Sequence, residues 1–265
     1  GGARMTRASL LSILFILLAG CAATPRSGAP GAPGAPAEAA SASARERARI
    51  HTELGVTYYD AGKMAVALEE LNEAISADRT YAPAWNARGL VYMDLKEDAR
   101  AESDFKEALR VDPANSQAKN NYGLFLCQRN RGREGIRYFL DAVKNPLYAT
   151  PDVAYKNAGL CARGIGDLAA AEEYFGRALR LNAQQPQALY SMADMRFERG
   201  DAQSAKPYMD RYMRLVSTPG PEALWLAARI ERRMGDNEAL SNYAGQLRRN
   251  FPGSPETRAL NEGRF

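Results

Sequence analysis

Histidine is almost missing from this chain of 265 residues: His51 is the only one, and the three cysteines, Cys21, Cys127 and Cys161, form no CxxC pair and no cluster with it. Zinc and haem need converging His or Cys ligands, so neither is expected. Catalysis by a serine–histidine or cysteine–histidine pair would have to recruit His51, and no nucleophile elbow or phosphate-binding loop accompanies it. Blocks of like charge are missing too. The net charge is +4 with Lys and Arg spread along the chain, which argues against nucleic acid and against adhesion to an anionic membrane surface. What is present is ample apolar material, 46% hydrophobic against 25% charged residues, enough for one sizeable core or solenoid. Nothing in this balance points to an enzyme, a cofactor or a small-molecule substrate.

One apolar run stands out, from Ser9 to Leu18 behind Arg4 and Arg7. It is shorter than the ~20 residues a membrane-spanning helix needs and has the make-up of a signal-peptide core. Read from Met5, the signal sequence is complete, with Arg7 in its basic n-region. The run closes on Leu18-Ala19-Gly20-Cys21, which resembles the lipobox of bacterial lipoproteins. That resemblance implies removal of residues 1–20, acylation of Cys21 and, with Ala22 in place of an inner-membrane retention Asp, an outer-membrane destination through the lipid anchor. Residues 21–45 then form a linker of Ala, Pro, Gly and Ser, including three Gly-Ala-Pro triplets, whose composition predicts a flexible tether.

The remainder repeats itself. Gly55, Gly89 and Gly123 are 34 apart, followed by Gly159, Ala193 and Ala228 at intervals of 36, 34 and 35. Twelve residues beyond each lie Ala67, Ala101, Gly135, Ala171, Ala205 and Leu240; four further are Leu71, Phe105, Phe139, Phe175, Met209 and Ala244. Small residues at the eighth and twentieth positions let two helices approach, and large apolar ones, Trp85 and Tyr92 among them, fill the space between. This spacing resembles the tetratricopeptide repeat, a helix–turn–helix unit. The resemblance implies an all-α, right-handed superhelical solenoid of about six repeats over residues 48–254, bounded 48–81, 82–115, 116–151, 152–185, 186–220 and 221–254. Turn glycines at Gly62, Gly166, Gly200 and Gly235 and closing prolines at Pro113 and Pro252 agree with it. Repeats five and six fit less well, with Arg196 and Glu231 at a usually aromatic position. Residues 255–265 are too few for a seventh repeat and make either a capping helix or a frayed tail.

Less generic stretches narrow the family. Asn120-Asn121-Tyr122-Gly123-Leu124-Phe125-Leu126, the connection Asn145-Pro146-Leu147-Tyr148, Leu179-Arg180-Leu181-Asn182, and Leu247 to Ser254 with Asn250-Phe251-Pro252-Gly253 resemble the type IV pilus pilotins of the PilF/PilW family. The resemblance implies a periplasmic domain that binds the secretin, the outer-membrane pore for pili, and promotes its localisation and multimerisation, and with it pilus biogenesis and twitching motility. A lipoprotein scaffold for outer-membrane barrel insertion or peptidoglycan synthesis is the alternative.

In tetratricopeptide geometry, positions 2, 5, 9, 12 and 13 of each first helix face a groove. This selects an apolar strip, Val56, Tyr59, Leu90, Met93, Leu124 and Cys127, edged by Thr52, Asn86, Asn120, Gln117 and Gln128, as the partner-binding groove. The same positions in the later repeats give a more charged half with Lys156, Leu160, Arg163, Tyr190, Asp194, Phe197, Trp225, Arg229, Arg232 and Arg233. Asn121 and Asn157 stand where some chaperone-binding repeats hold a peptide carboxylate, but the accompanying lysines do not recur. Cys127 and Cys161 lie on first helices whose axes should be ~8 to 10 Å apart, beyond the ~7 Å Cα separation of a disulfide, and are expected as free thiols, although an oxidising periplasm keeps a bridge open.

Overall fold

A computed structural model describes residues 35–264; the lipobox with Cys21 and the linker as far as Gly34 lie outside the described residues. The chain divides into two compact units, Gly1–Ala40 and Ser41–Phe265, and of the first only a short helical stretch from Ala35 is described. Among the described residues there are thirteen helices and no strand. No helix among them is long and apolar enough to cross a membrane.

Six helix pairs follow one another: α1 (Ala35–Asp60) with α2 (Met64–Ala77), α3 (Ala82–Asp94) with α4 (Asp98–Val111), α5 (Ser116–Gln128) with α6 (Gly132–Ala142), α7 (Pro151–Gly164) with α8 (Leu168–Leu181), α9 (Pro186–Glu198) with α10 (Ala202–Leu215), and α11 (Pro221–Met234) with α12 (Asn237–Asn250). The first helices α3, α5, α7, α9 and α11 also touch in succession, so the tetratricopeptide solenoid expected from the period is the observed architecture. Residues from Ala35 to Arg45, read from composition as tether, instead open α1. Alanine is the best helix former, and Pro36 falls in the first turn, where its missing N–H would have no partner anyway.

The repeat is held by a contact between its eighth and twenty-fourth positions. A Cβ on Gly89 would lie 2.9 Å from the Phe105 ring, and one on Gly159 would lie 2.6 Å from Phe175. Hence a buried aromatic on the second helix demands a glycine on the first. Repeats five and six carry Ala193 and Ala228 there, opposite the slimmer Met209 and Ala244, all four buried. The turn between paired helices passes through positive φ at Gly62, Gly166, Gly200 and Gly235, and equally at Lys96 (φ 60) and Asn130 (φ 62).

The poor fit of repeats five and six has a packing explanation. Arg196 reaches back to Glu172, and Glu231 reaches back to Lys206. At this one position an ion pair replaces the apolar side chain of earlier repeats, within interfaces that stay otherwise apolar, and Glu231 is only 3% exposed. The end of the array is settled as well: α13 (Pro255–Asn261) is a capping helix. It packs Leu260 onto Leu224, Ala244 and Leu247, while the Thr257 hydroxyl donates to the Phe251 carbonyl at 2.7 Å.

Candidate functional site

The ninth position of each first helix carries Val56 on α1, Leu90 on α3, Leu124 on α5 and Leu160 on α7. Val56 and Leu160 are 39% and 37% exposed, whereas Leu90 and Leu124 are half-buried against the Phe105, Tyr122 and Phe125 core. Four aliphatic side chains at the same repeat position, each partly open to solvent, line the first helices of repeats one to four, one repeat further than the sequence pattern suggested. Between α5 and α7 the strip dips into a hollow of about 340 Å³ lined by Leu124, Gln128, Asn157, Leu160, Ile165 and the two cysteines.

The other residues read as groove positions sit differently. Met93 is 6% exposed and belongs to the core beneath the strip. Tyr59 is half-buried and its hydroxyl donates to Asp94 Oδ2 at 2.6 Å; burial and the Asp94 carboxylate push the phenol well above its ordinary pKa. Thr52 is buried, its hydroxyl donating to the Ala48 carbonyl at 2.7 Å. Asn86 and Asn120, expected along the edge, are buried and committed to amides of the adjoining helices. Asn121 Nδ2 donates to Asn86 Oδ1 at 3.0 Å, Asn120 Nδ2 to Asn121 Oδ1 at 3.3 Å, and Asn157 Nδ2 to Asn120 Oδ1 at 3.0 Å. The result is a buried amide ladder tying α3, α5 and α7 together. It fixes the spacing of the helices that display the strip, and its signal in the sequence was the recurrence of Asn at the fifth and sixth positions of successive repeats.

The free-thiol expectation for Cys127 and Cys161 is overturned. The two are joined by a disulfide with a Cα separation of 5.8 Å. An axis separation is not a Cα separation: with Cα atoms on a cylinder of radius ~2.3 Å, helices ~10 Å apart bring facing Cα atoms to ~5 to 6 Å, within disulfide range. The bridge staples α5 to α7 at the floor of the hollow.

Beyond Leu160 the strip changes character. Arg163 pairs with Asp194 Oδ2 at 2.6 Å and approaches Glu198 at 3.4 Å, and the ninth position becomes Asp194 and then Arg229. Lys156 is half-buried, and burial lowers its pKa against the opposing pull of Asp152. No group of His, Cys, Asp and Glu that could hold a metal occurs among the described residues.

Comparison with known proteins matches this geometry to a family. Tetratricopeptide repeat models match residues 82–115, 156–218 and 48–81. The chain is 30% identical over 213 residues to the type IV pilus assembly protein PilF of Pseudomonas aeruginosa, covering 80% of this chain and 84% of that one. The crystal structure of PilW, described as a widely conserved type IV pilus biogenesis factor, superposes with a TM-score of 0.72 at 32% identity, over 80% of this chain and 97% of PilW. The structure of Pseudomonas aeruginosa PilF gives a TM-score of 0.79 at 28% identity, over 83% and 99% of the two chains. A repeat solenoid of this construction, alike in fold and sequence to both proteins along most of their length, belongs to the PilF/PilW family of tetratricopeptide-repeat proteins.

Proposed function

We propose that the chain is a non-catalytic outer-membrane lipoprotein, anchored through Cys21, whose repeats bind the type IV pilus secretin and promote its localisation and multimerisation. The observation that carries this reading is the recurrence of a partly exposed aliphatic side chain, Val56, Leu90, Leu124 and Leu160, at one position of four successive repeats on a scaffold related to pilus assembly and biogenesis factors. A pore subunit awaiting assembly must shield apolar segments, and a strip of half-exposed aliphatic side chains covers such a segment reversibly. The amide ladder and the disulfide contribute by holding the helices in register, so little ordering is needed on binding.

The test uses Val56→Glu combined with Leu160→Glu, because both side chains are exposed and neither supports the core. Met93 is unsuitable, since its burial makes a charge there unfold the repeat. Burying a carboxylate against an apolar partner should cost ~2 kcal/mol or more at each anchor, roughly thirtyfold in affinity. In cells, the double variant is expected to keep its helical circular dichroism and its membrane fraction while secretin multimers disappear. Normal multimers from that folded variant would refute the strip as the secretin site, and loss of a different envelope complex would point to a scaffold of barrel insertion or peptidoglycan synthesis.

A further inference from the structure

The far end of the same first-helix face is built for another kind of contact. Phe197, at the twelfth position of α9, is 8% exposed. The guanidinium of Arg229 lies 4.6 Å and that of Arg233 lies 5.8 Å from its ring centroid, and Arg229 also stands 5.9 Å from the Trp225 ring. Two cations thus share one aromatic platform.

Their electrostatic position is unusual for this protein. Most charged neighbours are consumed in pairs: Arg163 by Asp194 and Glu198, Lys206 by Glu231, Arg196 and Arg199 by Glu172. Among the described residues, neither Arg229 nor Arg233 has a carboxylate within ion-pair distance, and Arg229 Nε is buried with no hydrogen-bond acceptor. Contact with the rings restrains the guanidiniums, and their terminal N–H groups, not the buried Arg229 Nε, are the ones a ligand would meet. Like charges crowded on one ring repel, and a ligand carboxylate relieves that repulsion while forming charge-assisted, bidentate hydrogen bonds.

We propose that Phe197, Trp225, Arg229 and Arg233 form a binding site for an acidic peptide segment of a partner protein, separate from the apolar strip of repeats one to four. A peptide is favoured over other anions because the fixed planar guanidiniums match carboxylate geometry and the adjoining indole offers an apolar flank to the residue beside it. The site does not depend on the identity of the strip's partner.

The probe is a short fluorescein-labelled peptide of alternating Glu and Ala, titrated by anisotropy against the full chain. Arg229→Gln with Arg233→Gln should weaken binding at least about tenfold, while Arg180→Gln with Arg214→Gln, an equal loss of charge at exposed arginines elsewhere, should leave it nearly unchanged. Gln retains much of the stem that packs on the ring, and circular dichroism checks the fold of both variants. Arg229→Lys, which keeps the charge but not the planar fork, should show an intermediate loss. Equal weakening by the two double variants would reduce the effect to net charge and overturn the proposal. So would undiminished binding to the Arg229/Arg233 variant, or a preference for phosphatidylglycerol vesicles over the peptide, which would make the cluster a lipid-headgroup site. Val56→Glu with Leu160→Glu should bind the peptide normally, so failure of the strip reading and failure of this one remain distinguishable.

Discussion

Among the described residues, Lys96 and Asn130 are the non-glycine positions held at positive φ. Each repeat turns through positive φ at its fifteenth position; four use glycine, but these two do not. A side chain in the left-handed region costs ~1 to 2 kcal/mol, of which glycine's extra freedom in the unfolded chain returns ~0.5 to 1. Lys96→Gly is therefore expected to stabilise by about 0.5 to 1 kcal/mol, seen as a raised urea midpoint with an unchanged slope. Asn130→Gly should gain less, because asparagine tolerates this region. A fall in midpoint for Lys96→Gly would show that its side chain does more than occupy the turn. The turn glycines were legible from their spacing, yet the same conformation at Lys96 was not, since only the backbone path forces it there.

Helices are joined between repeats by groups that the sequence pattern does not weigh. Glu102 on α4 accepts from Tyr122 on α5 at 2.9 Å, from Arg131 at 2.8 Å and pairs with Lys106 at 2.8 Å. Lys106 first, then Arg131, hold its carboxyl down to about 2, against the burial that opposes ionisation. With the folded pKa below the unfolded value of ~4.3, the contribution is complete above that value and is lost as pH falls through the folded one. Stability should thus decline between roughly pH 4.3 and 2, and Glu102→Gln should flatten that decline while lowering stability at neutral pH. Urea unfolding of both proteins across this range is the check; parallel profiles would remove Glu102 as the acid-sensitive link. The pairs Glu172 with Arg196 and Lys206 with Glu231 belong to the same class. They looked like departures from the repeat because a pattern scores each position alone, whereas each charge is compensated by one on the preceding repeat.

At the scale of the molecule, a solenoid has only neighbour contacts, so its stability is close to a sum of repeats and interfaces. The disulfide between Cys127 and Cys161 changes that sum at one place, closing a loop with a sequence separation of 34 residues. Loop-closure entropy for such a length corresponds to ~3 to 4 kcal/mol. Cys127→Ala with Cys161→Ala, or reduction of the bridge, is expected to lower the thermal midpoint and to leave helical content intact below it. An unchanged midpoint, or intact protein whose mass shows two free thiols, would count against the bridge.

The 34-residue period by itself determined the solenoid and the first-helix positions from which the strip is built, because those depend on local helix formation and on side chains that recur at fixed offsets. Tertiary structure alone decided the rest. Whether Cys127 and Cys161 bond depends on the distance between facing Cα atoms, not between helix axes. Whether Asn86 and Asn120 meet a partner protein or the asparagines of adjoining first helices depends on how deeply those helices interlock. Arg229 and Arg233 likewise become a cationic pair only because α11 lays both over Phe197 of the preceding repeat. Each of these is a relation between residues about one repeat apart in sequence and a few ångströms apart in space, and no single repeat contains both sides of it.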